Sequence, residues 1–300
     1  MTSVLLTGAS GYAGAAIAAA LRARGMTVLT AGRRSADDVQ LDLLKPDSVI
    51  GSAIPDGVDV CVHAAAANEV SCRHDPVAAY TANVTATRAL LRAAESAGIR
   101  NLVYLSTFHV FGRPCGDLDE DVAPLPENDY GMTHWMAEQA FLMHGRRTDA
   151  RVSILRPANL FGEPVDWDTF NRWTLAPFDF ARQAVKYGVV RLLSDGAPVR
   201  SYVSISYLAQ AVLAAVSGLL PATTHLAGEV WSMAALAELC ARIAREVTAR
   251  EIGVSFGKAD LGELPYRFLS RHWPAEAGGT DCDMSAFIRS VVSSLLETPQ

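Results

Sequence analysis

Eight residues, Thr7-Gly8-Ala9-Ser10-Gly11-Tyr12-Ala13-Gly14, follow an apolar run at Val4-Leu5-Leu6 and open an alanine-rich stretch. The spacing of the three glycines suits one piece of chemistry. Gly8 permits a tight turn out of a strand, Gly11 lets backbone approach a pyrophosphate, and Gly14 lets the next helix pack closely on the sheet. The N-terminus of that helix would present N–H donors and a partial positive charge to phosphates. Because the glycines stand between strand and helix, they predict dinucleotide binding rather than a structural turn. Ser10 and Tyr12, inside the loop, count with Gly8, Gly11 and Gly14 as cofactor-binding.

The end of the second strand discriminates between dinucleotides. A carboxylate there would accept hydrogen bonds from the ribose 2′-hydroxyl of NAD. The chain instead reads Ala31-Gly32-Arg33-Arg34, and two guanidiniums suit the 2′-phosphate of NADP. NADP is therefore preferred. The alternative is a solvated pair at Arg33 and Arg34, with Asp37 or Asp38 reaching the ribose of NAD.

These residues need a scaffold. Short apolar runs at Val4–Leu6, Thr27–Ala31, Val58–His63, Asn101–Leu105 and Val152–Leu155 predict buried strands. Alanine-rich stretches at Tyr12–Arg24, Pro76–Ala97 and Gly131–His144 predict the helices between them. Such alternation implies an α/β fold with a doubly wound parallel sheet covered on both faces. After residue 160 the rhythm breaks. Residues 161–176 read as loop, Pro177–Lys186 as helix, Arg200–Val203 as strand and Ile205–Val216 as helix. Ser232 caps a helix to Thr248, and Asp283 caps one to about Glu297. The organisation is thus a dinucleotide-binding domain over residues 1–160, with returns at about 199–228 and 280–297. A small substrate lobe covers 161–198 and 229–279.

Composition narrows the function. The chain has 300 residues, 26 Lys or Arg against 32 Asp or Glu, and a net charge of −6, which argues against a nucleic-acid footprint. Half the residues are hydrophobic and 19% are charged, which excludes a disordered chain. The five cysteines form no CxxC and the seven histidines no HExxH, so no metal site or disulfide framework is expected. The first strand begins almost at the start, and Ala211–Leu220 is about half the ~20 residues a membrane crossing needs. A cytoplasmic protein with reduced thiols is expected.

Several blocks together resemble the extended short-chain dehydrogenase/reductases, specifically the NAD(P)-dependent epimerase/dehydratase group. They are TGASGYAG at 7–14, LDLL at 41–44, HAAA at 63–66, NVTAT at 83–87, LSTFHVFG at 105–112 and YGMTH at 130–134. LRPANLFG at 155–162, RSYVSISYLAQA at 200–211 and TDCDMSAF at 280–287 complete the set. The resemblance implies a Rossmann domain with a small C-terminal substrate lobe. It places Asp42 and Leu43 by the adenine, has Ala64, Ala65 and Pro157 line the cofactor, and has Asn83 support the catalytic loop. At His63 the backbone is expected to matter more than the ring.

The resemblance also implies a catalytic set of Ser or Thr, Tyr, and a Lys four residues after the Tyr. Here Thr107 takes the hydroxyl position and Tyr130 the tyrosine position, but His134 stands where the Lys belongs. Positions i and i+4 share a helix face. An ammonium about 4 Å from a phenol is worth about 4 kcal/mol at an effective dielectric of about 20, or roughly three pKa units. Histidine supplies this only when protonated. Three outcomes stay open: His134 holds the nicotinamide ribose with weaker tyrosine activation, Tyr130 stays protonated and serves as an acid for carbonyl reduction, or catalysis is lost and binding remains.

The family's sugar 4,6-dehydratases carry Asp and Glu after the Thr. Phe108 and His109 stand there, which argues against such a dehydratase and leaves His109 as a substrate contact or auxiliary acid/base. By resemblance, Asn159 and Arg200 face a nucleotide diphosphate, and Arg267 and Arg271 are weaker candidates for a second phosphate contact. Trp167, Phe170, Trp173 and Phe178 are read as core in preference to pocket lining. The resulting expectation is an NAD(P)-dependent oxidoreductase or epimerase acting on a nucleotide-linked sugar. Its rivals are a catalytically silent dinucleotide-binding interaction protein and an NADPH-dependent reductase of a non-sugar ketone. A homodimer through the helices near Pro76–Ala97 and Gly131–His144 is expected.

Overall fold

Strands made of short apolar runs assemble into one seven-stranded parallel sheet in the computed structural model, which describes residues 1–258, 264–273 and 283–297. Across the sheet the order is Thr223–Leu226, Arg151–Pro157, Asn101–Leu105, Val60–His63, Ser3–Thr7, Thr27–Gly32, Val39–Gln40. All neighbours run parallel. Alternate side chains serve opposite faces: Val4 and Leu6 join a cluster with Ile17, Leu21, Leu208 and Val212, whereas Leu5 joins Leu90, Leu91, Ala137 and Phe141. Burial on both faces explains why these strands read as unbroken apolar runs. Truncating a core side chain such as the fully buried Phe141 to Ala would cost about 3–5 kcal/mol.

The strand order reverses between Ser3–Thr7 and Val60–His63. In doubly wound sheets the crevice beyond the carboxyl ends at that switch point is where ligands bind. The glycine loop and Ala64-Ala65 both leave the sheet there.

A second core lies beyond the sheet. Helices Ala176–Tyr187, Met233–Thr248 and Met284–Glu297 bury Phe178, Leu236, Cys240, Phe287 and Ile288 together. The last helix, expected to return to the main sheet, packs in this second core because its buried face (Met284, Phe287, Ile288, Val291) meets that apolar cluster. Likewise Val199–Ser204 joins a separate three-stranded sheet, parallel to Asn159–Phe161 and antiparallel to Glu229–Ser232. Of the block at 280–287, residues 280–282 lie outside the described residues; Asp283 Oδ1 accepts from Ser285 N at 2.9 Å.

The stretch expected as one helix over Pro76–Ala97 is α-helical at Pro76–Tyr80 and Ala86–Ser96 but π-helical over Thr81–Thr85. The wider turn carries Asn83, whose buried amide bonds across to other elements. The helix expected at Gly131–His144 runs from Asp129 to Thr148, because Asn128 caps it by accepting from Gly131 N at 2.9 Å. Among the described residues, no helix is long and apolar enough to cross a membrane.

Candidate active site

A cleft of about 1200 Å³ opens at the switch point and collects residues from seven segments of the chain. Gly8, Ser10, Gly11, Tyr12 and Gly14 form one wall. Gly8 has φ +75°, and a Cβ on it would stand 2.8 Å from Ala65 N and 2.9 Å from the Ala64 carbonyl. The loop thus presses against the end of the neighbouring strand. Gly11 differs: a Cβ there would meet only Gly8 O, at 3.4 Å. Its missing side chain leaves room in the cleft rather than relieving a clash. Gly11 is the N-cap of helix Tyr12–Ala23, with no side-chain cap and no acidic residue in the first turn. This is a cradle open to an anion, and it fits a pyrophosphate. The Tyr12 side chain turns away from that role. Its hydroxyl donates to Gly162 O at 2.7 Å, and its ring meets Phe170 and Phe178 edge-on at 5.4 and 5.7 Å.

Arg33, Arg34, Asp37, Asp42 and Leu43 line the far end of the cleft. Asp38 is committed elsewhere: its carboxylate accepts from Thr30 N at 2.8 Å and Thr30 Oγ1 at 3.0 Å, and these bonds hold its pKa below the usual value. Asp37 accepts from Arg34 N at 2.9 Å. Asp42 Oδ1 accepts from Leu44 N at 3.0 Å, which shapes the turn beside Leu43.

Behind Ala64-Ala65 runs a buried hydrogen-bond chain whose directions can be assigned. Thr87 Oγ1 donates to Asn83 O at 2.7 Å, so it accepts from His63 Nε2 at 3.1 Å. His63 Nδ1 therefore accepts from Thr7 Oγ1 at 2.7 Å, and Thr7 Oγ1 accepts from Ala65 N at 3.2 Å. Burial pushes the imidazole pKa down to about 4, consistent with a neutral ring holding two strand ends in register. The His63 ring thus matters more than expected. Asn83 does not line the cleft. It acts from behind, accepting from Ala67 N at 2.6 Å and donating to Thr133 Oγ1 at 3.0 Å; that hydroxyl donates to Tyr130 O at 3.1 Å.

Thr107, Tyr130, His134 and His109 meet at the middle of the cleft, beside Pro157. Thr107 caps the short 3₁₀ turn Phe108–Phe111, accepting from His109 N at 3.2 Å, and its hydroxyl faces Tyr130 on the side that favours the phenolate. The Tyr130 ring lies 4.7 Å from His134 and 5.6 Å from His109, edge-on to both. Burial raises the Tyr130 pKa above the ordinary phenol value, opposed by the Thr107 hydroxyl and the Arg172 charge. Burial and the neighbouring His109 and His63 push His134 down to about 3. The group in the lysine position is therefore neutral at neutral pH. Burial likewise lowers His109.

A second cavity of about 650 Å³ adjoins, lined by Asn159, Asp179, Arg191, Arg200 and Tyr202 among others. Asn159 lines both, while Arg200 belongs to the second cavity alone. Arg267 and Arg271 are placed away from both. Arg267 pairs with Asp117, and Arg271 pairs with Asp119 at 3.0 Å and with Asp121. These charges clip strand Tyr266–Phe268 to Gly116–Leu118 instead of holding a phosphate. Trp167, Phe170, Trp173 and Phe178 pack on one another in the second core, with Phe170 and Phe178 centroids 4.4 Å apart.

Two residues were missed from sequence. Arg172, beside those aromatics, lines the cleft near Tyr130. Tyr104 lies under His134, with its hydroxyl 2.7 Å from Nδ1. Tyr104 occupies an alternating strand position that reads as core. No sequence signal marks Arg172.

The model of the NAD dependent epimerase/dehydratase family matches residues 4–221. The chain belongs to that family. Similar proteins include "Sterol demethylase protein B" of Methylococcus capsulatus, 32% identical over 226 residues, covering 69% of this chain and 65% of the relative. A UDP-glucose 4-epimerase of Rhizobium leguminosarum bv. trifolii is 33% identical over 191 residues, covering 60% and 58%. The chain thus spans about three fifths of the length of these relatives. Among solved structures, the family fold is matched by RMD from Pseudomonas aeruginosa complexed with NADPH, with TM-score 0.79, 22% identity and coverage of 99% and 100%.

Proposed function

We propose that this chain is an NAD(P)-dependent oxidoreductase acting on a nucleotide-linked sugar, with carbonyl reduction as the direction its proton chemistry favours and NADP as its preferred cofactor. One observation carries the reading. The glycine-loop cleft with Thr107, Tyr130 and His134 meets a second cavity at Asn159, and Arg191 and Arg200 line that cavity. A dinucleotide in the first and a nucleotide diphosphate in the second would bring their reactive ends to Tyr130. The relatives' names, which include sugar epimerases and a GDP-6-deoxy-D-mannose reductase, support the substrate class.

When bound, the nicotinamide would supply the hydride. The chain's own residues do the rest. Backbone N–H groups in the first turn of helix Tyr12–Ala23 bind the pyrophosphate, the Gly11 N–H itself being donated to Gly8 O at 2.9 Å, and Arg33 and Arg34 bind the 2′-phosphate. Asp42 and Leu43 flank the adenine, and Ala64, Ala65 and Pro157 shape the walls. Thr107 orients the substrate oxygen, and Tyr130 donates its proton to it. A neutral His134 withholds the roughly 4 kcal/mol that an ammonium would give a phenolate. The phenol therefore stays protonated and acts as an acid, which suits reduction. His109 and Asn159 contact the sugar, and Arg200 the diphosphate.

The test is turnover of NADPH against a panel of nucleotide-linked keto-sugars and free ketones, with wild type and Arg200→Ala. Reduction of a nucleotide-linked substrate with KM raised about tenfold or more in the variant supports the reading. Equal KM in both, or reduction of free ketones alone, overturns the nucleotide assignment. Binding of NADPH without any turnover favours the silent binder. We further place a homodimer contact on Pro76–Ser96 and Asp129–Thr148, where Val77, Met136 and Met143 are exposed.

A further inference from the structure

The turn that carries Thr107 and His109 is gripped from behind by residues 264–273. Strand Tyr266–Phe268 pairs with Gly116–Leu118, and its rings reach the turn. Tyr266 stacks on Phe108 with centroids 6.2 Å apart, and Phe268 meets Phe108 and Phe111 edge-on at 5.8 and 6.2 Å. A polar route runs beside this apolar one. His225 Nδ1 donates to Leu269 O at 3.0 Å, and Arg156 Nη1 donates to His225 Nε2 at 3.3 Å. Arg156 grips Glu138 with a fork, Nε to Oε1 at 2.9 Å and Nη2 to Oε2 at 2.7 Å. Glu138 Oε1 also accepts from the Ser106 hydroxyl at 2.5 Å. Ser106 lines the cleft and directly precedes Thr107.

Each link has one possible direction. A carbonyl cannot donate and a guanidinium cannot accept, so His225 is neutral with its proton on Nδ1, and both ring nitrogens are satisfied. Burial pushes its pKa below the ordinary imidazole value, with Glu120 opposing and Arg156 assisting. Phe268 stacks on the ring at 4.6 Å and Phe111 meets it edge-on at 5.4 Å. Glu120 ties the same segments together, accepting from His225 N, Ser270 Oγ and Arg271 N.

Ser106, Glu138, Arg156 and His225 are all buried. A buried ion pair is weak evidence for stability, because desolvation offsets its Coulombic gain and apolar residues of like volume often do as well. An apolar pair could not, however, direct a hydroxyl in the cleft wall. With Ser106 N donating to Leu155 O at 2.8 Å, both the backbone and the side chain of the residue before Thr107 are fixed.

We propose that His225 is a positioning residue that couples residues 264–273 to Ser106, so that docking of this segment sets the geometry of Thr107 and His109 in the cleft. The consequence for catalysis rests on the reading of Thr107 and Tyr130 above; the coupling does not.

The test is amide hydrogen exchange on the full chain, read residue by residue. Ser106 N, His109 N and Gly112 N, bound to Leu155 O, Thr107 Oγ1 and His109 O, follow the turn. Leu269 N, bound to Leu118 O, follows the segment, and Val4–Leu6 follow the core. His225→Phe keeps a ring against Phe268 and removes both side-chain hydrogen bonds. Turn and segment amides are expected to exchange faster by one shared factor of about ten or more, with Val4–Leu6 unchanged. A faster Leu269 with unchanged Ser106 and His109 overturns the coupling, and so does equal acceleration of the core. Wild type supplies a second measurement should the variant not fold. In rising sub-denaturing urea, Leu269, Ser106 and His109 should share one opening free energy, below that of Val4–Leu6. Separate openings, or opening only with the core, overturn the coupling. On a substrate found with the NADPH panel, His225→Phe should lower kcat about tenfold at unchanged KM, since Asn159 and Arg200 are untouched. Unchanged kcat overturns the positioning role. A wild type with coupled exchange that turns over nothing on the panel strikes the function reading and upholds the coupling.

Discussion

Gly14 sits directly over Gly8: a Cβ on Gly14 would fall inside the contact distance of the Gly8 carbonyl oxygen. Gly11, between them, has no such conflict, and its φ of −85° is ordinary for any residue. The two positions should therefore separate stability from binding. Gly14→Ala is expected to lose about 3 kcal/mol or more, the upper range for forced overpacking, seen as a lower denaturant midpoint. Gly11→Ala is expected to keep the midpoint while its dissociation constant for NADPH rises about tenfold, as one charge-assisted phosphate contact is blocked. Equal loss of stability in both would mean that Gly11 serves packing after all.

Tyr130 lines the cleft beside Thr107 and carries a pKa raised by burial. Tyr130→Phe should lower kcat by roughly 10²–10⁴-fold, the range for a positioned general acid, with NADPH affinity unchanged. Unchanged turnover would remove Tyr130 from the chemistry.

At the adenosine end, Asp38 is spent on Thr30, and Arg33 and Arg34 line the cleft. Arg33→Ser combined with Arg34→Ser should weaken NADPH roughly 10²–10⁴-fold and leave NADH affinity nearly unchanged, since each of the two guanidinium contacts with a phosphate is worth about 1.5–3 kcal/mol. Titrations with both dinucleotides decide it. Parallel losses for the two would assign the arginines to something other than the 2′-phosphate.

Stability should depend on pH through histidines buried in neutral form. His63 is lowered to about 4 and His134 to about 3, in each case chiefly by burial. In the unfolded chain both bind protons near the ordinary value of about 6.5. Below that pH the unfolded state therefore holds more protons than the native one, so stability is fully present above about pH 6.5 and is lost as pH falls toward 4. Each ring contributes a slope of about 1.4 kcal/mol per pH unit in that window. Urea unfolding between pH 4 and 7 measures the sum. Replacing His63 by Gln should flatten the slope by one proton's worth.

How far the sequence reached differs from residue to residue. The parallel sheet was legible because strands buried on both faces are apolar at every position, and Val4–Leu6 and Val60–Val62 are. Val39–Gln40 and Thr223–Leu226 escaped notice: one is two residues long and the other reads TTHL, and both owe their pairing to neighbours already in place. The glycine loop was legible because steric demand falls on single residues, at Gly8 and Gly14.

The order of the motifs along the chain was enough to name Thr107, Tyr130 and His134, but not their relations. Whether Tyr104 faces His134, whether Asn83 reaches Thr133, and whether Arg267 and Arg271 meet phosphate or Asp117, Asp119 and Asp121 all depend on residues 30 to 150 positions apart. Residue types and local spacing determined the family, the glycine cradle and the candidate catalytic set. Only the tertiary structure decided the charge of His134. That charge is set by desolvation and by the partner across the ring, and both arise when Asn101–Leu105 and Asp129–Thr148 pack together.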